Sequence, residues 1–314
     1  MKIVEFLSNK TGKNIQALIR LIDQAPRMYK VYKIPKRSVG FRVIAQPSKE
    51  IKELQRFTVE MLEKILPVHE KAMAYQKGKD IRSNALLHVK NDYILKMDFE
   101  DFFNSINPEV FHKSLEIDEI SINNTELYFL TRLLFWNPSK RKNGKLILSV
   151  GAPSSPIISN YIMHRFDCAI EEFCNSNAIM YSRYADDMTF STSKKNHLFS
   201  IPEIVRKTLR NKYYKRISIK QSKTIFSSKA HNRHITGVTL NNEGKISIGR
   251  SRKRMLSSLI FKASKNAIDD ESLSSLTGQL GQAFYIDNFF KESMIKKYGE
   301  SLIKSILGKK NEKA

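Results

Sequence analysis

Acidic residues are scarce in this 314-residue chain: Asp and Glu number 31 against 54 Lys and Arg, a formal net charge of +23. Such an imbalance implies a polyanionic partner and an affinity that falls steeply with salt. Cysteine is scarcer still. Cys168 and Cys174 fall six apart on one predicted helix, a spacing that suits neither a bridge nor a metal site. They read as reduced core thiols of a cytoplasmic protein. No apolar run is long enough to span a bilayer and no signal-peptide pattern is found, so no membrane partner is expected. Solenoid repeats and low-complexity linkers are also absent. Hydrophobic residues make up 41%, too many for a disordered basic tail, and the length allows one large domain or two or three subdomains.

What is present is organised around residues 180–191, Met-Tyr-Ser-Arg-Tyr-Ala-Asp-Asp-Met-Thr-Phe-Ser. Short runs rich in aromatic residues, Met and Thr flank Tyr184 to Asp187 and read as the arms of a β-hairpin. An ordinary tight turn would use Asn-Gly or Asp-Gly. Adjacent carboxylates at the tip repel each other, no Lys or Arg stands immediately beside them, and oxygen ligands of this kind suit Mg2+. A second acidic strand end strengthens the reading. Ile94 to Met97 has the pattern of a buried strand, with Asp98 at its end before the chain turns into Phe99 to Phe103. Asp98 and Asp186 are 88 positions apart, so only a folded sheet brings them together. Three carboxylates converging on two Mg2+ ions is the arrangement that phosphoryl transfer to a nucleic-acid hydroxyl requires.

Tyr184-Ala185-Asp186-Asp187 with the upstream Asp98 resembles the palm of a reverse transcriptase, and further stretches resemble the bacterial retron reverse transcriptases. The resemblance covers roughly residues 30–260, with its motifs in family order. Asn84-Ala85-Leu86-Leu87-His88 matches the Asn-Ala-x-x-His motif of retron enzymes; four apart, Asn84 and His88 share one helical face. Residues 150–160 resemble the family's Gln-Gly-x-Pro-x-Ser-Pro motif, with Val150 replacing the usual Gln. Gly151, not Val150, is therefore carried over, as the residue that lets the backbone approach the nucleotide. Residues 217–226 read as a strand and resemble the motif that holds a lysine, here Lys223, near the triphosphate. Residues 234–238 resemble the retron Val-Thr-Gly signature, with Ile235 for Val and with Thr236 and Gly237 matching. By the same resemblance, Arg42 contacts the incoming triphosphate or the template. Phe103 is the aromatic gate against C2′ of the sugar. The Phe99 backbone carbonyl joins Asp98, Asp186 and Asp187 as a ligand of two Mg2+ ions.

The remaining stretches supply a scaffold. Residues 1–30 read as a small helical packing element. Lys30 to Ile44 alternates apolar and basic residues as a fingers hairpin would, and Pro47-Ser48 signals a helix start. Helical patterns follow at residues 108–115 and 125–136. Residues 138–148 read as a basic hairpin around Asn143-Gly144, either a template-backbone contact or a solvated loop. Residues 201–212 form a basic amphipathic helix, and Gly244 to Gly249 closes a β element. A basic helical tail then opens with Arg250, Arg252, Lys253 and Arg254. Tyr285 and Phe289 are its candidates for stacking on unpaired bases, the alternative being that the charges bind any RNA and the rings are buried.

The fold expected is α+β, a right-hand polymerase with fingers and palm in residues 1–240 and a helical, RNA-binding thumb in 241–314. Fingers take about 1–92 and part of 104–150, and the palm about 93–103 and 151–240. The resemblance implies RNA-directed DNA synthesis of the retron type, from deoxynucleoside triphosphates. It further implies a cognate structured non-coding RNA, priming from a 2′-hydroxyl of an internal guanosine, and a branched RNA–DNA product. Antiphage defence with an effector protein encoded nearby belongs to the same implication. With no ribonuclease H-like acidic cluster in the remaining length, template removal falls to a host ribonuclease H. One alternative is a group II intron-like or diversity-generating enzyme, disfavoured by residues 84–88 and 235–237. The other is a non-catalytic RNA-binding scaffold, against which the three retained carboxylates argue.

Overall fold

The computed structural model describes residues 2–36, 40–213 and 216–308. Two helices lead, α1 (Ile3–Thr11) and α2 (Ile15–Gln24), the second started by Asn14, whose side chain accepts from the Gln16 amide. An antiparallel ribbon follows, β1 (Tyr29–Pro35) with β2 (Phe41–Pro47), in which Ile34 stands opposite Arg42. The helix start read at Ser48 is realised: its hydroxyl accepts from the Ile51 amide, and α3 (Lys49–Leu62) follows. A reciprocal capping box between Asp80 and Ser83 opens α4 (Ile81–His88).

Next come β3 (Tyr93–Asp98), the single turn α5 (Phe102–Ser105), α6 (Pro108–Ile117) and α7 (Asn124–Leu134). Helix α7 stops short of Trp136 because the Trp136 backbone pairs with Ile147 in both directions, at 2.9 and 3.0 Å. The loop between them is not an Asn-Gly hairpin. That pair is an isolated bridge, and the left-handed residue is Lys140, at φ 55°. Asn137 organises the turn instead, accepting from the Ser139 amide and donating to the Arg141 carbonyl.

The 22-residue α8 (Ser155–Ser176) leads into β4 (Met180–Tyr184), β5 (Asp187–Thr192) and α9 (Ile201–Tyr213). The single strand expected at 217–226 is broken in two. Ile219 bridges to Phe99, Gln221–Lys223 makes one 3-10 turn, and only Ile225–Ser228 is a strand, β6. The Ile219–Phe99 bridge is made by the Lys220 amide donating to the Asp98 carbonyl and the Glu100 amide to the Ser218 carbonyl, both at 2.8 Å. The 3-10 turn interrupts the pairing after it, redirecting Lys223, and β6 resumes it on β3. The strands β7 (Arg233–Ile235), β8 (Val238–Leu240) and β9 (Ile246–Ser247) form an antiparallel meander. Four helices close the description: α10 (Arg250–Ser264), α11 (Asp270–Ile286), α12 (Asn288–Tyr298) and α13 (Glu300–Gly308).

Strands β3 to β6 make one sheet in the order β4-β5-β3-β6. The chain divides into two compact units, each assembled from separated segments. The first holds residues up to Lys77, Lys96–Met188 and Phe199–Thr224; the second holds Gly78–Leu95, Thr189–Leu198 and the chain from Ile225 on. In the first, Phe111 packs edge-on against Tyr161, and Phe99 against Phe166, all four buried. In the second, α4 lies on β7, β8 and β9. Ala85, Val89 and Ile94 share one apolar cluster there with Val238, Leu256, Leu280 and Phe290. Thr236 (φ 47°) and Gly237 (φ 83°) are both left-handed, as the primed two-residue hairpin turn between β7 and β8 demands. No helix among the described residues is long and apolar enough to cross a membrane.

Candidate active site

Asp98 is the last residue of a strand buried at Ile94, Leu95 and Met97, and it is itself only 5% exposed. The hairpin tip meets it: the Phe99 amide donates to the Asp186 carbonyl at 3.1 Å, joining the end of β3 to the turn between β4 and β5. Crowding three carboxylates here has the electrostatic consequence expected of it. Burial and then the Asp98 charge raise the pKa of Asp186. Burial, the Asp186 and Asp98 charges and a hydrogen bond with Asp98 push Asp187 up to about 7. Lys223, carried in by its 3-10 turn, sets its ammonium directly on the Asp98 carboxylate. Burial opposes the Lys223 charge, but the bond to Asp98 and the charges of the three carboxylates outweigh it and raise the pKa.

Among the described residues no group of three His, Cys, Asp or Glu side chains is arranged to hold a metal ion as it stands. The donor set nevertheless fits one. Asp98 is buried and Asp186 partly so; with Asp187 they offer hard oxygens of like sign, a crowding that a divalent cation would relieve. A lysine already neutralises one of them.

Arg42 and Gly151 come together through β2. Arg42 is exposed on that strand, and its positive charge reaches Asp186 and Tyr75. Gly151 has φ 126°, and a side chain there would come within 3.1 Å of the Ala45 carbonyl oxygen. The close approach that glycine permits is thus to β2, which the Ala45 amide also ties to the Val150 carbonyl at 2.9 Å. Of the three neighbouring phenylalanines, Phe99 and Phe102 are buried and stacked, with centroids 5.1 Å apart, whereas Phe103 stays half-buried at the start of α5.

The family-motif residues gather in the second unit. Asn84 and His88 are buried on α4, and His88 Nδ1 shares a 2.7 Å hydrogen bond with the Ser191 hydroxyl. Arg250 and Arg254 are exposed on α10. Lys253 is committed internally, 2.7 Å from the buried Asp287 carboxylate that caps α12. Arg252 donates to Gln282 at 2.7 Å. Tyr285 and Phe289 are exposed, but Tyr285 bonds Asp80 and lies under Arg82, and Lys245 stands 4.4 Å from the Phe289 ring.

Sequence reasoning missed the support beneath the tip. Arg183 is wholly buried: its Nε and Nη2 donate to Asp167, its Nη1 to Asn160 Oδ1 and, at 3.0 Å, to the Ala185 carbonyl in the turn. The available signal was a carboxylate, Asp167, set among Ile162, Phe166 and Ile170 on an otherwise apolar helix face.

Asp98 at the end of β3, with Asp186 and Asp187 at the tip of the β4–β5 hairpin, in an α+β chain, is the arrangement expected of a nucleic-acid polymerase of the palm class. The family model described as reverse transcriptase (RNA-dependent DNA polymerase) matches residues 34–240. The retron Ec83 reverse transcriptase of Escherichia coli is 49% identical over 278 residues, covering 88% of this chain and 89% of that one. The retron Ec73 reverse transcriptase of Escherichia coli is 29% identical and covers 90% of each. The chain therefore belongs to the reverse transcriptases and, within them, to the bacterial retron enzymes. It is an RNA-directed DNA polymerase with an RNA template as partner, of a family that depends on divalent metal. The solved structure of apo telomerase from Candida tropicalis matches with a TM-score of 0.51 at 13% identity, covering 90% of this chain and 62% of that one. It agrees with the right-hand polymerase fold.

The buried ion pair supports a test. Asp167→Asn strands the Arg183 charge without changing volume and should cost about 3–5 kcal/mol in denaturant unfolding. The double variant Asp167→Leu, Arg183→Met should regain most of that stability. Its DNA synthesis should stay slow, because the Ala185 carbonyl has lost its donor.

Proposed function

We propose that this chain copies a structured non-coding RNA encoded beside it into DNA. Synthesis starts from a 2′-hydroxyl of an internal guanosine and leaves a branched RNA–DNA product. Antiphage defence with a nearby effector protein, and template removal by a host ribonuclease H, follow from the same reading. The observation that carries the polymerase site is the meeting of Asp98 with Asp186 and Asp187. Asp98, Asp186, Asp187 and the Phe99 carbonyl are the residues to hold two Mg2+ ions. Bound there, the ions activate the attacking hydroxyl and neutralise the leaving pyrophosphate. Lys223 is more than half exposed, so its ammonium can turn from Asp98 to a phosphate with little desolvation. Arg42 faces the same carboxylates with its charge and suits the triphosphate. In the language of polymerases, residues 1–240 are fingers and palm and 241–314 the thumb.

Asp98→Asn, Asp186→Asn and Asp187→Asn should each lower primer extension by about two orders of magnitude or more. Binding of the cognate RNA, measured by filter retention, should change little. Near-normal synthesis by Asp98→Asn would overturn the three-carboxylate site. A chain that binds RNA and makes no DNA even as wild type would be the scaffold instead.

The half-buried Phe103 suits a wall against the sugar 2′-hydroxyl better than its buried neighbours do. Phe103→Ala should raise ribonucleotide over deoxyribonucleotide incorporation by roughly 10- to 200-fold, the scale of one steric contact in a pocket. Unchanged selectivity in a folded variant would return Phe103 to packing.

RNA binding is assigned to the helical tail, through Arg250, Arg252, Lys253 and Arg254. The exposed pair gives the sharper expectation. Replacing Arg250 and Arg254 by Gln should flatten the slope of log affinity against log salt by about one unit per lost phosphate contact. Lys253→Gln should act first on melting temperature, because it uncovers Asp287. An unchanged slope in the double variant would move the RNA contact elsewhere.

A further inference from the structure

Tyr75 is a large aromatic in a conformation that only glycine adopts freely. Its φ is 61° and the residue is 58% exposed. No hydrogen bond or ring contact engages its side chain among the described residues. A non-glycine residue in this region costs on the order of 1–3 kcal/mol and persists only where its surroundings over-determine it. Those surroundings are identifiable. Ala72 forms a parallel bridge with Arg183, and the Met73 amide donates to the Arg183 carbonyl at 2.7 Å. The Ala74 carbonyl accepts from Asn160 Nδ2 at 3.0 Å, and Asn160 is itself bonded by Arg183.

The parallel bridge and the Met73 bond run this segment beside β4, the strand that leads into the hairpin tip. The electrostatics agree. After burial, the groups that act on the Tyr75 hydroxyl are Asp186, Tyr184 and Arg42. The strained residue thus presents an unoccupied ring beside the hairpin tip and beneath the reach of Arg42.

We propose that Tyr75 contacts substrate in polymerisation, its ring stacking on a nucleobase at the insertion site. The inference rests on the polymerase site proposed above. An exposed aromatic edge next to a phosphate-handling centre suits any base, because every base offers a π face. Two sources supply that face, the incoming nucleotide and the template–primer hybrid, and they separate kinetically.

The experiment is single-nucleotide extension on a generic RNA template and DNA primer, with thermal melting of the same samples, for Tyr75→Phe and Tyr75→Gly. Tyr75→Phe should stay within about twofold of wild type, because the stacking face remains. Tyr75→Gly removes the ring and relieves the left-handed strain. It should lose roughly five- to 150-fold in kcat/KM while melting no lower than wild type. A rise confined to the nucleotide KM assigns the face to the incoming base. A rise in hybrid Kd assigns it to the hybrid. A Tyr75→Gly variant that melts markedly lower would make the ring structural and overturn the proposal. Undiminished kcat/KM in that variant would overturn it equally. Asp186→Asn in the same assay keeps the two readings apart: if it still synthesises DNA, the site on which the inference rests fails; if it does not and Tyr75→Gly keeps full kcat/KM, the role of Tyr75 alone fails.

Discussion

Arg183 and Asp167 lie side by side with no exposed surface, and four pieces of chain take their positions from them. The Asp167 carboxylate receives the guanidinium and the Tyr181 hydroxyl, which fixes β4 on α8. The remaining Arg183 donors hold Asn160 and the Ala185 carbonyl. Asn160 passes the constraint on to Ala74. A buried ion pair of this kind adds little net stability, since removing both charges from water costs about as much as their attraction returns. What it confers is specification. An arginine has five donors in a rigid fork, and here they leave one arrangement of helix, strand, turn and loop.

That specification is needed because the tip is unfavourable by itself. Asp98, Asp186 and Asp187 repel one another in a partly dry setting, which is why the pKa values of the last two rise. Ala185 (φ 57°) and Tyr75 (φ 61°) both adopt left-handed backbone without being glycine. The surrounding structure holds a configuration that carboxylate repulsion and backbone strain would otherwise relax. Lys223 eases the repulsion at Asp98 but comes from a short turn and stays half exposed. It is a movable counter-charge, whereas Arg183 is a fixed one.

Much of this site is legible in the sequence, since its chemistry is carried by residue types at strand ends. Asp98 after an apolar run and paired aspartates between two short strand patterns announce a fold that brings them together. The Ser48 helix start and the Asn84–His88 helix face are likewise local signals. The Arg183–Asp167 pair is only half legible: Asp167 among apolar helix residues signals a buried partner, but a lone Arg on a strand reads as solvated and nothing local names Arg183 as that partner. The break before Lys223 is not legible. The alternation through Ile217 and Ile219 continues a strand pattern, and nothing in it signals the 3-10 turn at Gln221–Lys223 that interrupts the pairing. Asn143-Gly144 misleads for a related reason: the Asn137 side chain supplies the turn's hydrogen bonds, so the left-handed position passes to Lys140. The two compact units escape notice as well, since β3 and β5 each begin in one and end in the other.

The family signatures raise a separate physical point. Asn84, His88, Thr236 and Gly237 match family motifs, and in the structure they lie on one helix and the turn of the meander it packs against. Helix α4 lies on the meander whose tight turn is Thr236-Gly237. Beyond the helix, the Asn91 carbonyl takes a hydrogen bond from the buried Arg233 of β7, and Arg233 also reaches the Asn241 carbonyl. The Asn91 side chain donates to the Ser191 hydroxyl that His88 engages and accepts from Ser193. A polar network this buried is stable only when its members are satisfied together, so replacing one leaves the others stranded. The carboxylates proposed for synthesis, Asp98, Asp186 and Asp187, lie with Lys223 in the first unit, whereas Asn84, His88, Thr236 and Gly237 lie in the second.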